Sequence, residues 1–230
     1  MIIWVASFPR SGNTLLRILL RQVFSLGSYC KYKSGSTAPN AKWDSIGFRA
    51  LPWPEPTWKK TYKILQTSEE LCPVRTHDIE KDGAKTIYVV RDARSVLRSY
   101  YHFLRDLGGK SNVTMKKVIN GGLGYGSWSK HLSGWEPYDR PDTLVIRYED
   151  ILDKPEEEIQ RLEAFLGISA VNPWENQFEE WQEAHPKFFF FLSPKPPVDE
   201  YTPEEMKLFW KQHGEWMHRL GYGEPVPSQA

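Results

Sequence analysis

This chain of 230 residues has no long apolar run, few cysteines and a net charge close to zero. No apolar run approaches the roughly 18 residues that a bilayer-spanning helix needs, so the sequence predicts no membrane segment. The two cysteines, Cys30 and Cys72, form no C-x-x-C pair and no metal-ligand spacing with histidine. A reducing compartment is the simpler interpretation, and a disulfide between them is left open.

The formal net charge is only +1, which gives no global basic field of the kind that binds nucleic acid or an anionic membrane. Any site for an anion must therefore be local. The first residues already read as a core strand, and they lack the basic segment and cleavage site of a signal peptide. We therefore expect a cytoplasmic protein with no nucleic-acid or membrane partner, and the sequence leaves its oligomeric state open.

A hydrophobic content of 40% and an aromatic content of 14% favour a folded core. Strand patterns alternate with helix patterns, which predicts a single-domain α/β fold with a doubly wound parallel sheet flanked by helices. We assign this domain to residues 1–222 and expect a mobile tail over 223–230. The predicted strands are 1–6, 72–76, 86–91 and 143–147; helices are predicted from Asn13 onwards, at 57–67, 93–107, 113–120, 125–136 and 155–166, more weakly at 43–50, and from Thr202 to about Gly221.

The most informative segment follows the first strand. The apolar run breaks at Ser7 and a periodic helix pattern starts at Asn13, so a strand, a tight loop and a helix N-terminus adjoin. That geometry directs backbone N–H groups onto an anion and makes the predicted fold P-loop-like. Compared with the Walker A motif, Gly12 and Thr14 fit, whereas Ser7 replaces the first glycine and Asn13 replaces the lysine. With Arg10 inside it, the loop suits a short 5′ anion and not a triphosphate; a tight turn without a ligand is the alternative.

Residues 8–15 read Phe8-Pro9-Arg10-Ser11-Gly12-Asn13-Thr14-Leu15. This run resembles the 5′-phosphosulfate loop of the sulfotransferases that use 3′-phosphoadenosine 5′-phosphosulfate (PAPS), roughly Tyr-Pro-Lys-Ser-Gly-Thr-Thr-Trp. The resemblance implies that Arg10 stands for the loop lysine and that the loop binds the cofactor through Arg10, Ser11, Gly12, Asn13 and Thr14. The family's adenine-stacking aromatic is Leu15 here, so stacking must be weaker or come from elsewhere.

A second resemblance covers residues 87–103. In the family, an arginine at a strand end and a serine eight residues later clamp the 3′-phosphate of the nucleotide, and Arg91 and Ser99 match both positions. An arginine there can hold a phosphate bidentately, and a helix hydroxyl can complete the contacts. The alternative is a strand-end ion pair beside a neutral helix serine. Arg94 and Arg98, four residues apart on one helix face, are expected to be solvated.

The run Val74-Arg75-Thr76-His77-Asp78 resembles the family's Lys-Thr-His at a strand end, whose histidine is the catalytic base. The resemblance assigns that role to His77 and places Arg75 where the lysine stands, near the sulfuryl group. A neutral imidazole, with an unperturbed pKa of about 6.5, suits proton abstraction near pH 7. The other histidines lie on predicted helices or their borders, where a structural role is the ordinary expectation.

Later segments extend the resemblance. Residues 126–135 match a Gly-Ser-Trp helix whose tryptophans we interpret as core, and residues 144–150 match a strand ending in Tyr-Glu-Asp. The family's tyrosine approaches the adenine, so Tyr148 is a candidate cofactor ligand, with structural packing as the alternative. The family's late Arg-Lys-Gly-x-x-Gly segment is not recognisable. The run Phe188–Phe191 and Lys195 take its place, and Lys195 is the candidate substitute.

The resemblance implies in-line transfer of the sulfuryl group from PAPS to a hydroxyl or amine of a small-molecule acceptor. The product nucleotide would be 3′-phosphoadenosine 5′-phosphate (PAP), His77 would act as base, and no metal is called for. A P-loop kinase or nucleotide hydrolase is one alternative, opposed by the absent Walker lysine and by the Arg91 and Ser99 pair. An inactive PAP- or PAPS-binding relative is another, favoured by the missing late segment and opposed by His77.

Overall fold

The computed structural model describes residues 1–32, 50–184 and 200–223. They fall into two compact units, one within 1–91 and 135–192 and the other within 92–134 and 193–230. The first unit carries the sheet, and the second is helical. The boundary between a domain over 1–222 and a tail stays a prediction. Lys195, Phe188–Phe191 and residues 224–230 lie outside the described residues.

In the described part of the chain, a five-stranded sheet forms the centre of the first unit. All neighbouring strands are parallel, in the order β2-β3-β1-β4-β5, so the predicted doubly wound order is confirmed. β1 lies in the middle, and the order runs away from it in both directions. Ligands of open parallel sheets bind beyond the carboxyl ends of the strands at such a point. The strands are β1 (Ile2–Ser7), β2 (Tyr29–Cys30), β3 (Cys72–Thr76), β4 (Lys85–Val90) and β5 (Thr143–Arg147).

Helices of the first unit cover both faces of this sheet. On one face, Val5 and Ile87 pack into a buried core with Leu16 and Leu162. On the other face, the Trp4 ring lies 6.3 Å from the Tyr62 ring. Because neither face meets water, the strands are apolar on both sides. The helices of this unit are α1 (Asn13–Phe24), α2 (Trp58–Thr67), α6 (Tyr148–Asp153), α7 (Pro155–Leu166) and α8 (Phe178–Ala184).

The second unit is built from helices around buried aromatic residues. Its last helix opens with a capping box, because Thr202 Oγ1 accepts from the Glu205 N–H and the Glu205 carboxylate accepts from the Thr202 N–H. The helices are α3 (Ala93–His102), which continues as a π-helical turn (Phe103–Leu107), α4 (Met115–Asn120), α5 (Trp128–Trp135) and α9 (Pro203–Arg219). The second unit includes α5 as far as Gly134.

The expectation that Arg94 is solvated is wrong. Its guanidinium is buried and donates to both carboxylate oxygens of Asp92, with the shortest contact at 2.5 Å. Asp92 also caps α3 by accepting from the Arg94 N–H over 2.8 Å. The cap residue thus folds back on a side chain of the first helical turn. Arg98 is also only partly exposed, and it pairs with Glu200.

Most predicted element bounds agree with the structure within a few residues. The two-residue strand β2 and the helices α6 and α8 were not predicted, and the helix predicted at 93–107 divides into α3 and the π-helical turn. The weak helix prediction at 43–50 falls almost wholly outside the described residues. Within residues 1–32, 50–184 and 200–223, no helix combines the length and the apolar character that a membrane span requires.

Candidate nucleotide-binding and catalytic site

The loop between β1 and α1 has an unusual backbone. Arg10 has a φ of 70° and Gly12 has a φ of 109°, both in the left-handed region. The Ser11 N–H donates to the Phe8 carbonyl over 3.2 Å and closes the turn. A Cβ atom on Gly12 would lie 2.5 Å from Cδ2 of Tyr148, so both the dihedral angle and the packing require glycine. Strain in a non-glycine residue such as Arg10 is typical of functional loops.

The start of α1 offers donors to an anion. The first intrahelical hydrogen bond runs from the Leu16 N–H to the Gly12 carbonyl over 3.1 Å. The N–H groups of the three residues between them therefore have no partner inside the helix. No acidic residue occupies this first turn, so the positive end of the helix dipole is not neutralised there. Among residues 1–32, 50–184 and 200–223, the buried hydroxyl of Ser11 has no hydrogen-bond partner, and it can add a further donor.

Two of the predicted loop contacts need adjustment. The Ser11 N–H is used inside the loop, so the backbone donors lie at Asn13 and onwards. The Asn13 side chain turns back to the sheet, where its Nδ2 donates to the Val5 carbonyl over 2.8 Å and approaches Ser7 Oγ at 3.4 Å. The side chain at the Walker lysine position thus anchors α1 to β1. Only the backbone of Asn13 faces the predicted anion site.

Three guanidinium groups influence one another around the loop. Burial, and then the positive charges of Arg91 and Arg75, lower the pKa of Arg10 to about 10. Arg91 follows β4, is 3% exposed, and places Nη1 3.5 Å from the Arg10 carbonyl oxygen. Mutual repulsion of neighbouring cations is relieved when an anion binds among them. The structure therefore brings together the three arginines that the sequence singled out.

His77 lies directly after β3, next to the end of β1. The residue is 6% exposed, and Nδ1 of its ring lies 2.7 Å from the Ser7 carbonyl oxygen. Its Nε2 lies 3.2 Å from Nη2 of Arg75. A carbonyl only accepts and a guanidinium only donates, so these partners assign the proton to Nδ1 and leave the Nε2 lone pair toward Arg75. These partners fit a neutral imidazole with its Nε2 lone pair beside a cation.

Two residues of this site escaped the sequence analysis. Tyr32 accepts a hydrogen bond from the His77 N–H through its hydroxyl over 2.7 Å, and its ring lies nearly parallel to the imidazole. Arg17 of α1 is 3% exposed and donates from Nε to Ser28 Oγ over 2.6 Å. Burial, and then the charge of Arg75, lower the pKa of Arg17 to about 10. The sequence signal for Arg17 was an arginine inside the apolar run of residues 15–20, whereas no sequence signal pointed to Tyr32.

The remaining candidates occupy separate places. Tyr148 is fully buried at the start of α6, and the Arg91 guanidinium carbon lies 4.1 Å from its ring centroid. Leu15 is buried in the core of the first unit, which excludes it as a base-stacking residue. Thr14 is half-buried at the start of α1. Ser99 is buried on α3, in the second unit.

A parallel sheet, a strained loop opening a helix, and arginines at the strand ends define a P-loop-like α/β protein with a candidate anion site. The sulfotransferase domain family matches the chain over residues 2–217. Rat sulfotransferase 1C2 is 38% identical over 231 aligned positions, which cover 91% of this chain and 76% of that protein. The chain belongs to the sulfotransferase domain family.

Other relatives are more distant. Dog sulfotransferase 1B1 is 27% identical over 178 positions, covering 70% of this chain and 57% of the relative. The chain thus spans less than two thirds of the length of several curated relatives that it matches. Mouse sulfotransferase SULT7A1 complexed with PAP has the same fold, with a TM-score of 0.67, 20% identity, and 95% and 88% of the two chains covered. A retinol dehydratase complexed with androsterone and PAP gives a TM-score of 0.62 at 18% identity, with 100% and 83% covered.

Proposed function

We propose that this protein is a PAPS-dependent sulfotransferase that transfers the sulfuryl group to a hydroxyl or amine of a small-molecule acceptor. The observation that carries the proposal is the group of Arg10, Arg75 and Arg91 around a helix N-terminus. Membership of the sulfotransferase domain family supports it, and so do the PAP complexes of proteins with this fold. A metal is not part of the proposal.

The residues present fit such a nucleotide. The loop donors at the start of α1, with Arg10 and the unpartnered Ser11 hydroxyl, would hold the 5′-phosphosulfate end. Arg91 would hold the 3′-phosphate, which distinguishes PAPS from ATP, and the part of Ser99 in this contact rests on the sequence alone. Tyr148 and Lys195 are the further candidates, and Lys195 rests on the sequence alone. When bound, PAPS supplies the sulfuryl group and the leaving nucleotide.

His77 would act as the general base. Its Nδ1–H is committed to the Ser7 carbonyl, so Nε2 is the atom that would take the proton from the acceptor hydroxyl or amine. Arg75 lies within hydrogen-bond distance of that atom, and it would offset negative charge on the transferring group. Arg10 would stabilise the charge that develops on the leaving phosphate oxygen. In this proposal the base and the cations lie at or near the carboxyl ends of neighbouring strands.

The first experiment measures PAP binding by calorimetry, with adenosine 5′-monophosphate (AMP) as the control ligand. Removing a charged bidentate contact should weaken PAP binding by roughly 10- to 100-fold in Arg91→Ala and leave AMP binding nearly unchanged. Arg161→Ala is the matched control, because Arg161 pairs with Glu158 on α7, away from the loop. It should behave as the wild type.

Two results would redirect the proposal. Equal affinity for PAP and AMP in the wild type would show that the 3′-phosphate is not recognised, and Mg²⁺-dependent ATP turnover would then favour a P-loop kinase or hydrolase. Tight PAP binding without sulfuryl transfer across a broad acceptor panel would favour an inactive relative. Transfer that disappears in His77→Ala, with PAP binding retained, would support the enzyme.

A further inference from the structure

Tyr148 takes its position from the pairing of two strands. β4 and β5 are parallel, with Val90 opposite Arg147, so the next residues along, Arg91 and Tyr148, leave the sheet side by side. Tyr148 is also the first residue of α6. Its side chain is fully buried, and the Arg91 side chain beside it is 3% exposed. The ring is therefore fixed on rigid elements at the carboxyl edge of the sheet.

One contact of this ring fixes the predicted 3′-phosphate ligand. The guanidinium carbon of Arg91 lies 4.1 Å from the ring centroid of Tyr148, which is close for a cation over an aromatic face. Stacking occupies the face of a guanidinium, whereas its N–H groups point outward in its plane. Tyr148 can therefore orient Arg91 without using the donors that a phosphate would need.

A second contact of the same ring fixes the 5′ loop. The ring lies so close to Gly12 that a Cβ atom there would be 2.5 Å from Cδ2 and 3.3 Å from Cγ of Tyr148. Arg91 adds a long hydrogen bond from Nη1 to the Arg10 carbonyl over 3.5 Å. One aromatic ring thus contacts the backbone of the loop and the guanidinium beyond β4.

We infer that Tyr148 is a positioning residue that braces Arg91 against the 5′ loop, so that the contacts for the two ends of the nucleotide keep a fixed relative position. This role would act through Arg91 and Gly12. The inference rests on the proposed PAPS site. It predicts that the ring is what the preference for PAP needs, and that Tyr148 and Arg91 are coupled in binding the 3′-phosphate.

The test is a double-mutant cycle read by calorimetry with PAP and with AMP. It uses the wild type, Tyr148→Phe, Tyr148→Leu, Arg91→Met and the Tyr148→Leu/Arg91→Met pair, each checked for folding by thermal unfolding. Tyr148→Phe keeps the ring, so we expect it to keep the preference of the wild type for PAP over AMP, whatever its effect on the binding that the two ligands share. Tyr148→Leu should weaken PAP binding by roughly 5- to 30-fold more than AMP binding, the range of a partly desolvated cation–π contact. In the Arg91→Met background, the same leucine substitution should cost PAP no more than AMP.

Three outcomes would overturn the inference. Equal losses for PAP and AMP in Tyr148→Leu, additive with Arg91→Met, would mean that the ring acts on the adenine or on the loop alone. A loss of the PAP preference in Tyr148→Phe would assign the role to the hydroxyl. Retention of the full PAP preference in a folded Tyr148→Leu would show that no brace is needed. Failure of the proposed function looks different, because the wild type itself would then not prefer PAP over AMP.

Discussion

His77 and His213 are both buried, and both rings have a partner at each nitrogen. His213 of α9 has the Ser129 hydroxyl at 2.7 Å from Nδ1 and the Ile119 carbonyl at 3.1 Å from Nε2. His77 has the Ser7 carbonyl at Nδ1 and the Arg75 guanidinium at Nε2. The partners therefore assign opposite tautomers, with the proton on Nε2 in His213 and on Nδ1 in His77.

The difference lies in what could replace the second partner. His213 is enclosed by the rings of Trp128 and Phe209, and its lone pair is taken up by a serine hydroxyl of the same unit. The lone pair of His77 faces an arginine that also belongs to a group of cations around an anion loop. Burial alone thus does not mark a catalytic histidine. The chemistry of the partner at the second nitrogen separates the two.

The largest expected effect that separates the two histidines is on the rate of sulfuryl transfer. His77→Gln should lower kcat by roughly 10²- to 10⁴-fold, because a general base typically contributes that much, while PAP affinity stays within about threefold. His213→Gln serves as the control and should keep kcat for the folded fraction. The measurement is kcat with PAPS and any accepted acceptor, beside PAP calorimetry on the same preparations. Similar kcat losses in the two variants would remove the distinction.

The second effect is on stability against pH. Burial lowers the pKa of His213 from 6.5 to about 4, so the unfolded chain binds this proton at a higher pH than the folded chain. The stabilising contribution of neutral His213 is therefore complete above pH 6.5 and lost as the pH falls toward 4, by on the order of 3 kcal/mol. Urea unfolding at pH 7 and pH 4.5 measures it.

The control for this prediction is His213→Gln, which removes the titrating group, and the quantity compared is the change in the free energy of unfolding with pH. In His213→Gln the free energy of unfolding should fall less between pH 7 and pH 4.5 than in the wild type, although the variant is less stable at pH 7. An unchanged slope would show that His213 titrates normally in the folded state.

The smallest effect is spectroscopic. Nitrogen NMR of the protein with labelled histidine should show His77 as the Nδ1–H tautomer and His213 as the Nε2–H tautomer near neutral pH. His77→Gln and His213→Gln assign the signals. Observation of the same tautomer in both rings would contradict the hydrogen-bond partners described above.

Local sequence signals were sufficient for several elements. β3, β5 and α7 were predicted with the bounds that the structure shows. For α7 the signals were Pro155 at its start and Gly167, with a φ of 74°, at its end. β2 consists of only two residues, and its identity comes from pairing with β3. α6 starts directly after β5 with no side-chain cap, so its sequence lacks the usual signal for the start of a helix.

The site divides in the same way. Arg10, Gly12, Arg91 and His77 could be found from short motifs, because strand ends and tight loops leave marks in the sequence. The role of Tyr32 could not, because it depends on the alignment of the chain after β2 with the end of β3. The inward turn of Asn13 and the pairing of Arg94 with Asp92 were missed for a related reason. Both side chains have more than one possible partner nearby, and residue type alone does not decide between them.

The inward turn of Asn13 also limits how this loop could change its ligand. A lysine introduced at this position to complete a triphosphate loop would begin at a side chain that is 6% exposed, and it would remove the amide that ties α1 to Val5. The ammonium would have to leave that pocket before it could reach a phosphate, and the helix start would lose its anchor. A single exchange to lysine would therefore add a cation only at the cost of the contact that ties α1 to β1.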